Sequence, residues 1–149
     1  MACPFFMPVS KLEEGGWLHP SRLPLGGGWA GQCCAPGHEG AEPTPEELRD
    51  LCNLGYAGAC PRLPKERVHD AVRFSVARDR GEQLEVWFVF ESKHRPAGHG
   101  TLEYDLSLGR WVSSHSDSRI QKMAECYLQF YLSRRSQPVS ADCSSSATP

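Results

Sequence analysis

Five of the seven cysteines, Cys3, Cys33, Cys34, Cys52 and Cys60, fall within the first sixty positions of this 149-residue chain. Thiols at that density can cross-link, sit as small buried hydrophobes, or bind a metal as thiolates. Disulfides fit poorly with a start, Met-Ala-Cys-Pro-Phe-Phe-Met-Pro, that has neither the basic region nor the apolar run of a secretory signal. Unrelated free thiols are the bland account. A metal or iron–sulfur site is the account the composition favours, because the surrounding segment is poor in core residues and needs a staple.

The choice of metal turns on spacing. Structural zinc sites usually pair cysteines two to four residues apart, and no such pair exists here. Cys33 and Cys34 are adjacent, and neighbours in an extended chain point to opposite faces, so one of them binds. Gly31-Gln32 leaves room for a turn that delivers Cys33, which is the choice made here, with Cys34 the alternative. The set is then Cys3, Cys33, Cys52 and Cys60, four thiolates, the full ligand complement of a [4Fe–4S] cluster. A cube is larger than a zinc ion and its corners diverge, so it can gather ligands from scattered loops. Cys3-Pro4 and Cys60-Pro61 repeat the cysteine–proline step that ends bacterial ferredoxin runs. Arg62 or Arg22 could offset the cluster's negative charge.

Other candidates are weaker. His38 could complete a zinc site with Cys33 or Cys34, Cys52 and Cys60, but it reads as a polar residue in a Pro-Gly turn. His94 and His99 flank Pro96–Gly100, with Glu91 and His115 near in sequence, and read as solvated loop histidines. Cys126 belongs to the edge of a helix stripe, and Cys143 to an unstructured tail. Gly26-Gly27-Gly28 lacks the Gly-Lys-Ser/Thr end of a phosphate loop, and no Gly-x-Ser-x-Gly elbow is present. No paired acid and base stands out, so the sequence does not read as a self-contained enzyme.

The elements that must hold these residues divide near Glu66. Residues 1–66 carry 10 of the 14 glycines and 9 of the 12 prolines, one valine and no isoleucine. That composition opposes long helices or a paired sheet. Its apolar content is limited to Phe5, Phe6, Trp17, Leu18, Leu23, Leu25, Trp29 and one helix. Thr44-Pro45-Glu46-Glu47 has the form of a capping box with proline at the first helical position, which starts that helix. It puts Cys52 in the last turn and Gly55 at the stop.

Residues 67–135 read differently. Val72, Phe74 and Val76 alternate with polar neighbours, and after an Asp79–Glu82 turn so do Leu84, Val86, Phe88 and Phe90. Pro96–Gly100 predicts a break, followed by a hairpin of Thr101–Leu106 with Arg110–Ser113. Ser116 or Asp117 caps a helix with Ile120, Met123, Ala124, Tyr127, Leu128 and Tyr131 on one stripe. Trp87 alternates to the other sheet face, where it could cover the cysteine-rich lobe or mark a partner surface. Residues 136–149 read as a disordered tail.

The net charge of −2 and a pI near 6.3 argue against a general nucleic-acid or anionic-membrane binder. Arg62, Lys65, Arg67, Arg73, Arg78 and Arg80 are diluted by Glu66, Asp70 and Asp79 and read as a solvated face. No apolar run is long enough to span a bilayer. The expectation is an α+β protein of the cytoplasm. An irregular, Gly/Pro-rich cysteine lobe with one short helix precedes a three- or four-stranded antiparallel sheet and a C-terminal helix. It would bind a [4Fe–4S] cluster for electron transfer, redox sensing or structure, and act with a protein partner. The alternative is a zinc-stabilised interaction module.

Overall fold

A computed structural model describes residues 1–13, 23–54 and 60–136. Trp17, Leu18, Arg22, Gly55, Cys143 and residues 137–149 of the tail expected to be disordered lie outside them, while Ser136 ends the C-terminal helix. The architecture is α+β, with a two-stranded and a four-stranded antiparallel sheet, a short N-terminal helix and a long C-terminal one. Among the described residues no helix is long and apolar enough to cross a membrane.

The N-terminal lobe departs from expectation by forming a paired sheet. β1 (Phe6–Lys11) runs antiparallel to β2 (Trp29–Cys33). The glycine and proline that argued against pairing shape it instead. Pro8 lies opposite Gly31, and the register shifts between Pro8 and Ser10. A Cβ on Gly31 would stand 1.9 Å from the Met7 carbonyl oxygen, so only glycine admits this approach. A bulge beside a proline is where a strand tolerates a missing amide donor.

The expected capping box is present. The Thr44 hydroxyl accepts from Glu47 N–H and the Glu47 carboxylate accepts from Thr44 N–H. The helix differs in form: α1 (Pro45–Glu47) passes directly into a π-helical turn, Leu48–Cys52, closed by Asn53 N–H donating to the Leu48 carbonyl at 3.2 Å. Such widened turns are rare, and frequent at functional sites.

The large sheet follows the alternation. β3 (Ala71–Asp79), β4 (Gln83–Ser92), β5 (Arg95–Asp105) and β6 (Arg110–Trp111) lie in sequential order. The break expected at Pro96–Gly100 does not occur, and these residues lie within β5. The turn falls earlier, at Lys93-His94, both with positive φ, between the paired Ser92 and Arg95. Two left-handed residues suit the twist of a two-residue hairpin, although Asn-Gly is the usual signal. Asp70 accepts from Lys93 N–H at 2.7 Å and steadies the turn. Gly100 then makes room for Phe88, whose ring a Cβ would meet at 2.6 Å.

α2 (Ser118–Ser136) opens where Asp117 accepts from Arg119 N–H. Ile120, Met123, Ala124 and Leu128 are buried, as the stripe requires. The helix touches β1 as well as β3 and β4, so it lies between the two sheets. Cys126, expected at a core edge, is 2% exposed and inside the core. One hydrophobic cluster joins Ala2, Cys3, Phe6, Leu25, Trp29 and Leu48 of the lobe to the sheet and helix. Ala2 also pairs with Val72 on the free side of β3.

This arrangement overturns one role offered for Trp87. The lobe covers α2 and the edge of β3, while Trp87 stands on the outer face of the sheet, 36% exposed, with its ring edge on His99.

At the far end of the sheet, Asp79 ties the β3–β4 turn to α2. Tyr131 Oη donates to it at 2.7 Å and Arg135 Nη1 at 3.0 Å. The Tyr131 hydrogen bond, then those from Gly81 N–H and Arg135, hold its carboxyl below the usual 3.8. Because the folded-state pKa is depressed, this stabilisation is present above the unfolded value and fades as pH falls through the folded one. Asp79→Asn should therefore be less stable than the parent at pH 7, with the gap in thermal midpoint closing below about pH 4. A gap independent of pH would place the effect elsewhere than in the carboxylate.

Candidate metal centre

Four separate segments deliver cysteines to one place. Cys3 follows the Ala2–Val72 bridge, and its N–H donates to the Cys52 carbonyl at 3.2 Å, joining the N-terminus to the end of the π turn. Phe6 N–H returns to the Cys3 carbonyl at 3.1 Å, and Phe6 is the register partner of Cys33 at the end of β2. Cys60 starts a turn closed by Leu63 N–H on its carbonyl at 3.2 Å. Arg62 of that turn donates to Glu47 at 2.8 Å, which ties the turn to the helix that carries Cys52.

The result is a small pocket of about 20 Å³, partly open to solvent, lined by Cys3, Cys33, Cys52 and Cys60. Phe5, Phe6, Leu51 and Leu63 make most of its wall apolar, and Glu47 and Arg62 stand with them. All four expected ligands line it, and Cys34 does not. The Cys34 carbonyl instead takes a 3.4 Å hydrogen bond from Arg119, and burial raises the pKa of its thiol, with Arg119 opposing and Cys33, Asp117 and Glu39 adding to the rise. Extended backbone at the end of β2 sends the adjacent thiols to opposite sides.

The thiols feel one another. Burial pushes Cys3 up to about 11, and the charges Cys33 and Cys60 would carry as thiolates add to the rise. Burial pushes Cys52 up to about 12, followed by Cys3, Cys60 and Cys33. Cys126 is also pushed up to about 12 by burial, but no other thiol contributes there. Without a cation, Cys3 and Cys52 stay protonated at neutral pH. A bound cation would reverse that and release protons.

Two sulfurs already accept backbone hydrogen bonds from the residue two places on. Ala35 N–H reaches Cys33 Sγ at 3.5 Å, and Phe5 N–H serves Cys3. Such donors favour a thiolate and tune the potential of sulfur-ligated clusters. Among the described residues no three Cys, His, Asp or Glu side chains are gathered as a single metal ion would need. The thiols surround a pocket and do not meet at a point. The six described cysteines, Cys3, Cys33, Cys34, Cys52, Cys60 and Cys126, are all free thiols.

The remaining histidine candidates are not brought together. His38 is exposed in the Ala35–Ala41 turn. His94 is at the hairpin tip, His99 packs on Trp87 outside the sheet, and His115 packs on Phe88 and Phe90 inside it. Arg62, Arg67, Arg73 and Arg78 each face a carboxylate, from Glu47, Asp70, Glu91 and Glu85.

Sequence reasoning missed Asn53. It is 0% exposed, accepts from Trp29 N–H at 3.0 Å, and donates to the Trp29 and Leu48 carbonyls at 3.0 and 2.9 Å. One amide therefore locks β2 to the π turn beside Cys52. Its only sequence signal was a polar residue directly after a cysteine in an apolar turn. Comparison with protein families, with curated proteins and with solved structures finds no match to this chain.

Proposed function

We propose that this protein binds a [4Fe–4S] cluster through Cys3, Cys33, Cys52 and Cys60. The observation that carries the reading is the convergence of these four cysteines, from four segments of the chain, on one largely apolar pocket. Four thiols are the donor set such a cluster takes, and a pocket ringed by thiols suits diverging corners better than one tetrahedral ion, whose sulfurs would lie about 3.8 Å apart. The backbone donors at Cys3 and Cys33 support thiolate character, and Arg62 supplies positive charge at the wall, although Glu47 shares it. When bound, the cluster supplies one-electron chemistry. The chain's own part is to hold the sulfurs, exclude most water with Phe5, Phe6, Leu51 and Leu63, and tie the lobe together. Electron transfer, redox sensing and a structural role all use that same arrangement.

Free thiols agree with a reducing compartment, which we take to be the cytoplasm. The exposed Trp87 on the outer sheet face is the surface we assign to a protein partner.

Protein purified without air should be brown, with about four irons and four acid-labile sulfides per chain. One zinc in a colourless protein would replace the reading with a zinc-stabilised interaction module. Neither metal, with the thiols titrating in the folded protein, would overturn both.

A further inference from the structure

The two edges of the four-stranded sheet differ. On β3 the outward backbone groups of Val72 are taken by Ala2, and the Tyr127 hydroxyl meets the Val76 N–H, which closes that edge to a further strand. On the other side β6 pairs with β5 at Tyr104 and Asp105 alone. Beside it the Glu103 carbonyl accepts from Val112 N–H at 2.8 Å, and Glu103 N–H donates to the Ser113 hydroxyl at 2.9 Å. From Gly98 to Leu102, no backbone hydrogen bond is made on that side of β5 among the described residues.

The register fixes which groups are left open. Residues of an antiparallel strand turn their N–H and C=O alternately to one neighbour and to the other. Glu103 faces outward, so Thr101 and His99 do too, while Gly98, Gly100 and Leu102 face β4. An open edge is a template for another strand, and proteins commonly guard it with charge, proline or a bulge. Here Pro96 and the register shift opposite Phe90 and Glu91 guard one end, and β6 blocks the other. The window between them, Gly98-His99-Gly100-Thr101-Leu102, contains no Lys, Arg, Asp or Glu.

This window is symmetric about Gly100. With a two-fold axis there and the strands antiparallel, His99 of one copy lies opposite Thr101 of the other, and Gly98 lies opposite Leu102. Both His99–Thr101 pairs then take hydrogen-bonded positions, and every outward N–H and C=O of the window finds a partner. Gly100 faces its own counterpart in the closer, non-hydrogen-bonded position, about 4.5 Å between Cα atoms, where the lack of a side chain helps. The space beneath it is already filled by Phe88, 2.6 Å from where a Cβ would stand. On the outer face Trp87 is the register partner of Thr101, so the half-exposed rings of both copies flank the seam.

We infer that this chain associates with a second copy of itself by pairing the two Gly98–Leu102 segments antiparallel about Gly100, which makes one continuous sheet through both molecules. The inference names the partner of the Trp87 surface assigned above, but it rests on the β5 edge and needs no metal.

The test is sedimentation equilibrium of the full chain, prepared without air, with amide exchange followed by NMR on the same protein. The seam is short, burying less than about 1,000 Å², so a dissociation constant of about 10–300 µM is expected. Thr101→Pro removes an outward N–H that has no partner in a single copy, a place where an edge strand tolerates proline. It should keep the fold and weaken association at least about tenfold. Val68→Ser, at an exposed position before β3, should leave association unchanged. Exchange locates the contact without a substitution. The His99 and Thr101 amides should exchange freely in dilute protein and slow in proportion to the fraction of dimer. A protein still monomeric at about 1 mM would overturn the inference and leave the edge to a strand from a different protein. An undiminished dimer in folded Thr101→Pro would also overturn it, as would a dimer whose His99 and Thr101 amides exchange as they do in dilute protein. Iron measured on the same samples reports on the cysteine pocket separately, since Thr101→Pro should retain the parent's iron.

Discussion

Cys52→Ser protein, purified without air, is expected to lose its visible absorption and nearly all its iron, and to expose residues 1–66 to protease. The thiol stands at the end of the π turn, and its carbonyl takes the Cys3 amide, so a defect there reaches two ligand segments at once. A ligand bound only by the folded state stabilises it by about 4 kcal/mol when present at a thousand times its dissociation constant. Loss of the cluster should therefore lower the thermal midpoint by several degrees. Cys60→Ser should behave in the same way. Cys34→Ser and Cys126→Ala should keep their iron, because Cys34 lies on the Arg119 side of β2 and Cys126 lies inside the core. Cys126→Ala would still cost some stability as a small cavity. Iron counts separate metal loss from simple destabilisation. Equal iron in Cys33→Ser and Cys34→Ser would refute the choice between those neighbours, and equal iron in all the variants would refute the site.

The second large effect is expected at Asn53. Alanine there strands the Trp29 N–H and the Trp29 carbonyl in a buried region, while the Leu48 carbonyl keeps the backbone N–H of position 53. One buried group left unpaired costs about 1–3 kcal/mol. Two groups sharing one amide are not additive, and about 3 kcal/mol is the expected loss in a denaturant titration of Asn53→Ala. The placement predicts a second consequence. Asn53 connects the strand that ends in Cys33 to the turn that ends in Cys52, so the variant should also take up metal more weakly at temperatures where it is still folded. Asn53→Asp keeps an acceptor for Trp29 N–H but loses the amide donors facing two carbonyls, and should fare no better. A loss below about 0.5 kcal/mol would show that water can replace the side chain, contrary to its complete burial.

Much of the large sheet could be read from side-chain alternation, because one face is buried and the period of two leaves little freedom of register. The capping box was equally legible, since its partners are three residues apart and its chemistry is local. The hairpin tip was not. Lys93-His94 carries no Gly or Asn, and its left-handed conformation is held from outside by Asp70, distant in sequence. The lobe's sheet was hidden for a similar reason. Gly31 and Pro8 read as breakers in isolation, yet opposite each other they permit a close approach and a bulge.

By itself the sequence determined the residue types for soft-metal chemistry, the proline steps after Cys3 and Cys60, the start of α1, the strand alternation and the stripe of α2. Each of these is local, written within a few residues by periodicity or steric preference. Only the tertiary structure decided that Cys3, Cys33, Cys52 and Cys60 line one pocket while Cys34 turns away, that α2 lies between two sheets, and that Trp87 faces outward. Those outcomes depend on which apolar surfaces meet, and burial couples residues without regard to their separation along the chain.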